Sequence, residues 1–270
     1  MKRTAATIVR EYGPFPDVTH VHGVSYDGSN IWIATGDTLN AIDTASGKTV
    51  RALYVSAHAG TAFDGRHLYQ ISGDRIQKVD PTTGRVVATI PTPDGGASGM
   101  AWAEGSLWVG QHRKRKIHQV DPQTGAILRT IESNRFVTGV TWVDGELWHG
   151  TWESDESELR RIDPQSGEVL EQIDMPSGVA VSGLESNGSD TFFCGGGSTG
   201  KVRAVRRPGA RLSSQTAELA SGVRTRSLKN VRFHQIRGRQ QWVRFGKLEH
   251  IASASPRITR HASRHSRSRR

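Results

Sequence analysis

At 270 residues the chain has ample length for a buried core, its single cysteine excludes an internal disulfide framework, and no run of 18 apolar residues offers a membrane-spanning helix. The formal charge of +10 is unevenly placed: residues 209–270 carry 15 Lys+Arg against 2 acids, leaving 21 against 24 for residues 1–208. The lone thiol and the absence of a signal-type apolar stretch after Met1-Lys2-Arg3 point to a cytoplasmic protein.

The chain repeats itself, and the repeat decides the fold. The run Ala6–Glu11 precedes five units, each opened by a glycine, at Gly23, Gly60, Gly99, Gly139 and Gly183, with spacings of 37, 39, 40 and 44 residues. Three residues on stand Tyr26, Phe63, Trp102 and Trp142, a series that Ser186 breaks in the fifth unit. A turn ending in Gly28, Gly65, Gly105, Gly145 or Gly188 follows, preceded by Asp27, Asp64, Glu104, Asp144 or Asn187, residues suited to the positive φ of tight hairpins. A second aromatic comes next, at Trp32, Tyr69, Trp108, Trp148 or Phe193. The third strands of the first four units end at Asp43, Asp80, Asp121 and Asp163, and the turns after them close on Gly47, Gly84, Gly125 and Gly167. Fourth strands such as Arg85–Ile90 and Glu168–Ile173 alternate with period two.

Four short strands per unit of this length form the blade of a β-propeller. The prediction is an all-β, five-bladed propeller of four-stranded blades over residues 1–208. Its fifth blade shows three strands up to Lys201–Val205, and Ala6–Glu11 supplies the missing outer strand. The matched aromatics are expected to pack between blades. Residues 209–270 form a basic Arg/Ser/His-rich tail without the period; its end, Ser253–Arg270, is too poor in apolar residues to fold, and the tail is read as a disordered extension or a read-through. The alternative is a nucleic-acid arm in which Trp242 and Phe245 lie among Arg244 and Lys247.

Turns after odd strands share one face and are repetitive; loops between second and third strands, with the segments entering each blade, share the other and are irregular. Function is expected on the irregular face. There His20 and His22, two apart on one strand, with His58 and Glu185 can supply a mixed nitrogen and oxygen set for one divalent metal ion. The same residues suit metal-free acid–base chemistry, His22 with Glu185 or Glu153. The plain reading is a polar cap on a wet channel. His112 and Arg113, with Arg135, suit an anionic group, while Trp152, flanked by Glu153 and Glu156, has no packing role in the repeat and suits a ligand platform. Cys194, at a strand position, reads as a buried, inert thiol.

Trp142-Val-Asp-Gly-Glu-Leu-Trp148 and Arg160-Arg-Ile-Asp-Pro-Gln-Ser-Gly167, in a five-bladed pattern over about residues 6–208, resemble the glutamine cyclotransferase family, propellers that convert N-terminal glutamine to pyroglutamate. Similar units occur in the virginiamycin B lyase group. The resemblance implies a cyclase or lyase acting on a small molecule or peptide at the channel mouth. In place of the family's Asn-Glu-Leu-Glu-Trp type segment stands Thr138-Gly139-Val140-Thr141-Trp142, without either carboxylate. His22 replaces a glutamine of the family's Phe-Thr-Gln-Gly-Leu type opening. Two classes of function stay open: an enzyme of this kind, and a non-catalytic module holding a ligand or protein on the same face.

Overall fold

The computed structural model describes residues 1–94 and 96–209, and every regular element among them is a strand. Blade I contains β3 (Gly23–Tyr26), β4 (Asn30–Ala34), β5 (Gly36–Asp43) and β6 (Thr49–Ala57); blade II contains β7 (Thr61–Phe63), β8 (Leu68–Ser72), β9 (Arg75–Val79) and β10 (Val86–Pro91). Blade III follows with β11 (Ala97–Ala103), β12 (Ser106–Gln111), β13 (Lys116–Val120) and β14 (Ile127–Glu132), and blade IV with β15 (Val137–Val143), β16 (Glu146–Thr151), β17 (Glu158–Ile162) and β18 (Val169–Asp174). In blade V, β19 (Gly183–Ser186), β20 (Thr191–Gly195) and β21 (Val202–Arg206) are completed by β2 (Ile8–Tyr12), paired antiparallel from Ile8↔Val205 to Tyr12↔Val202. The ring therefore closes with the N-terminal strand predicted for it.

One strand was not foreseen. β1 (Lys2–Ala5) adds to the outer edge of blade IV, parallel to β18, with Lys2 opposite Glu171 and Ala5 opposite Asp174. The tail lies, from residue 210, outside the described residues.

The opening glycines form a closed ring. A Cβ on Gly60 would stand 2.6 Å from Met100 N, and one on Gly183 would stand 2.7 Å from Val24 N and 2.9 Å from Gly23 Cα. Gly23 meets the backbone of Ala59 and Gly60 in the same way, Gly99 that of Thr138 and Gly139, and Gly139 that of Gly183 and Leu184. Only glycine permits backbones to approach so closely. Inner strands that are not ring neighbours, β11 with β3 and with β19, also come within 8 Å between Cα atoms. The axis is thus pinched at a glycine waist.

Between blades the aromatics pack as predicted. Tyr69 lies 5.4 Å from Trp102 at 14°, Trp108 lies 5.5 Å from Trp142 at 20°, and Phe193 lies 5.4 Å from Tyr26. Where Ser186 breaks the series, Phe192 takes the place and meets Trp148 at 4.9 Å. The turns divide into two types. Glu104 and Asp144 take positive φ together with the glycine after them, as in a two-residue hairpin. Asp27, Asp64 and Asn187 do not; their side-chain oxygens accept backbone N–H groups instead, Asp27 from Ser29 and Asn30, Asp64 from Arg66 and His67. After the third strands, Asp43, Asp80, Asp121 and Asp163 repeat one capping pattern, each carboxylate accepting two backbone N–H groups within its turn or one together with a serine hydroxyl.

Candidate functional site

The face assignment rests on contacts. Thr44 Oγ1 donates to Ser29 O at 3.1 Å, joining the two repetitive turns of blade I, while His22 N donates to Ala34 O at the opposite end of the sheet. The entry segments and the loops after the second strands therefore meet on the irregular face.

On that face, between blades III and IV, lies a chain of ion pairs. Arg115 Nη2 reaches Glu153 Oε1 at 2.8 Å, and Arg135 bridges Glu153 Oε2 and Glu158 Oε1, at 3.4 Å each. Arg160 binds Glu158 Oε2 at 2.6 Å through Nε and Asn134 Oδ1 at 2.6 Å through Nη1. Phe136 carries the Arg115 guanidinium over its ring, 4.7 Å from the centroid, and His112 4.7 Å away on a tilted plane. Glu153 is held in place by a turn in which it exchanges backbone hydrogen bonds with Glu156, with Ser154 and Asp155 at φ 55° and 62°. Left-handed φ at two successive non-glycine residues costs energy, and such strain gathers at working loops.

Of the residues proposed from sequence, Arg135, Glu153 and His112 join this network; Trp152 is half-buried at the start of the same turn, whereas Arg113 and Glu156 are exposed beside it. Glu153 is paired with two arginines, Arg115 and Arg135. Glu158, Arg160 and Phe136 were missed. The signal was present: Glu158 and Arg160, opposite charges two apart, share one face of β17.

The histidines gather without forming a metal site. His20 and His22 stack at 5.7 Å, nearly parallel at 8°, and burial, followed by His20 and His58, holds the His22 pKa below the ordinary histidine value. Among the described residues no three His, Cys, Asp or Glu side chains stand where one metal ion could be shared. The set His20, His22, His58 and Glu185 fails for a geometric reason. His22 precedes its waist glycine by one residue and Glu185 follows its own by two, three strand steps or roughly 10 Å apart along the axis.

Glu185 therefore lies on the turn side of the waist. Its layer holds the second residues after the opening glycines, and the other four, Ser25, Ala62, Ala101 and Thr141, are small and buried. Glu185 Oε1 accepts from Thr141 Oγ1 at 2.5 Å and from Ser186 N at 2.8 Å. These bonds favour the carboxylate, but the surrounding protein outweighs them and pushes the pKa up to about 7. The side chain bonds to the inner strand of blade IV rather than joining the histidines.

Two buried groups are structural. His149 is fully buried with Nδ1 on Gly150 O, and burial lowers its pKa to about 4, so it stays neutral. Cys194 is buried as expected, its thiol pushed up to about 12.

A family model described as Domain of unknown function (DUF5074) matches residues 46–193. No curated protein matches the chain in sequence. Among solved structures, the glutaminyl cyclase of Myxococcus xanthus superposes with a TM-score of 0.65 at 19% identity, over 76% of this chain and 97% of that one. Hydrazine synthase of Kuenenia stuttgartiensis gives a TM-score of 0.44 at 20% identity, over 67% and 57% of the two chains. The glutaminyl-cyclase-like likeness is one of fold.

Proposed function

We propose, for a chain that belongs to the family described as Domain of unknown function (DUF5074), that it is a ligand-binding propeller whose irregular face holds a small molecule or peptide by an anionic group. The observation that carries this reading is the state of Arg135. Glu153 and Glu158 each have a short partner already, Arg115 at 2.8 Å and Arg160 at 2.6 Å, and Arg135 sits 3.4 Å from both. Charge-assisted bonds of this kind run to about 2.7–2.9 Å, so its donors are underused. Its side chain is 28% exposed. A carboxylate or phosphate arriving at this fork meets two parallel donors, with half-buried Trp152 next to Glu153 in the chain.

The test is calorimetric titration with glutamate, citrate and inorganic phosphate against the wild type, Arg135→Ala and Arg135→Lys. Loss of a bidentate charged contact weakens binding by about tenfold or more, and lysine restores only part of it. Equal affinity in Arg135→Ala overturns the reading.

A second reading, a cyclase- or lyase-type reaction at the same face, is favoured by His22, whose imidazole stays neutral and able to accept a proton near pH 7. The fold it shares with a glutaminyl cyclase makes an N-terminal glutaminyl peptide the first substrate to try. Ammonia release by the wild type that is lost in His22→Ala supports it, with activity falling as pH drops through the lowered His22 pKa. Release that survives His22→Ala removes His22 from the chemistry.

A further inference from the structure

The unforeseen strand β1 shows what the outer edge of blade IV accepts. It lies parallel to β18 in the register Lys2↔Glu171, Arg3↔Gln172, Thr4↔Ile173 and Ala5↔Asp174, and Ala6 N extends the pairing to Asp174 O at 2.8 Å. Both basic side chains meet acids. Lys2 Nζ stands 2.8 Å from Glu171 Oε1, and Arg3 Nε donates to Asp174 Oδ2 at 2.7 Å. Beside this pair is a cavity of about 170 Å³ lined by Arg3, Glu156, Glu158, Asp174 and Met175, so the acidic surface continues past the strand. Asp174 first, then Glu158 and Glu156, raise the Arg3 pKa.

The strand is lightly held. It has four residues, all but Thr4 exposed, and forms the outermost edge of its sheet. The Lys2 and Arg3 side chains are 60% and 64% exposed, and ion pairs this open add little to stability. Its acidic partners, by contrast, belong to the ring, Glu171 being buried and bound also by Arg161 at 3.5 Å.

We propose that the outer edge of blade IV is a docking groove for an extended peptide carrying two successive basic residues, in which Lys2–Ala5 is the resident occupant. Backbone pairing with β18 supplies the affinity, and Glu171 and Asp174 select the basic pair, as in strand-addition recognition. A partner must compete with a strand tethered by Ala6–Thr7, whose effective concentration is in the millimolar range, on the order of that of a short linker. Binding is therefore weak until β1 is released.

The experiment uses the full chain and a fluorescein-labelled peptide, Met-Lys-Arg-Thr-Ala-Ala-Thr, read by anisotropy. In the variant Lys2→Glu/Arg3→Glu, like charges against Glu171 and Asp174 release β1, seen as faster amide hydrogen exchange at the β18 edge. That variant is expected to bind the peptide at least tenfold more tightly than the wild type and to regain protection in β18. Adding Asp174→Lys is expected to abolish the gain. The proposal is overturned if β18 protection is unchanged in the charge-reversed variant, if its released edge does not bind the peptide, or if a Glu-Glu version of the peptide binds equally well.

Discussion

Single atoms decide the axis. A methyl group on Gly139 would stand 2.6 Å from the carbonyl carbon of Gly183 and run into Leu184 N. Neither neighbour is a flexible side chain, so both inner strands must move. Gly139→Ala is expected to cost about 3 kcal/mol, the upper part of the overpacking range, and urea unfolding measures it. Glu185 provides a contrary case, in which a native residue opposes stability. Its folded pKa of about 7 lies above the unfolded value of 4.5, so folding favours the protonated form. That contribution is complete below about pH 4.5 and is lost as pH rises through 7. Glu185→Gln, which keeps an acceptor for Thr141, is expected to raise stability by on the order of 2 kcal/mol at pH 8, after allowance for partial solvent contact, and to change little at pH 4. Urea midpoints at the two pH values check it; equal effects at both would mean that Glu185 ionises freely.

Between strands, the joins depend on a device that the turns conceal. Arg51 of β6 donates to Pro81 O at 3.3 Å and Thr82 O at 2.8 Å in the next blade, Arg129 of β14 to Pro164 O at 2.7 Å, and Arg10 of β2 to Thr44 O and Ala45 O at 2.6 and 2.8 Å. Arg51 and Arg129 each stand four residues after a turn glycine, and at the same position blade II has Ala88. Arg129→Ala is expected to lose about 1 kcal/mol, and Ala88→Arg to raise the melting temperature by supplying the missing clasp on the third blade's turn. An unchanged melting temperature in both would deny the clasp a role. Much of the ring was legible in the sequence because waist glycines, stacked aromatics and capping aspartates recur at one period. The clasp was not, since it occurs at only some joins. Lys2–Ala5 escaped notice because a strand added to an edge needs no apolar alternation, only free backbone and, here, two acids. Glu185 was grouped with the histidines although it lies past Gly183, and position along a strand fixes which side of a waist a side chain occupies. The Arg135 site was legible only as separate charges, because ion pairs across two loops leave no spacing to read.

For the whole molecule, the four capping aspartates set an acid limit. Backbone N–H groups hold Asp80, Asp121 and Asp163 below the usual carboxylate range, and at Asp43 the Ser46 hydroxyl does so first. With folded pKa values depressed, their contribution is present above about pH 4, the unfolded value, and is lost as pH falls through the folded ones. Melting temperature is expected to fall between pH 4 and pH 2.5, and less steeply in Asp80→Asn/Asp121→Asn; parallel slopes would place the acid sensitivity elsewhere. The pairing of Ile8 with Val205 has a different consequence, for a chain emerging from the ribosome. β2 precedes the other strands of the ring in the chain, and its partner β21 follows them. Until Arg206 has left the exit tunnel, both edges that will seal the ring are bare, at the largest sequence separation among the described strand pairings. Closure is therefore slow and comes after the other blades have formed. A nascent chain stalled in blade V exposes an unpaired edge, the form most prone to capture by chaperones or to association with another stalled copy.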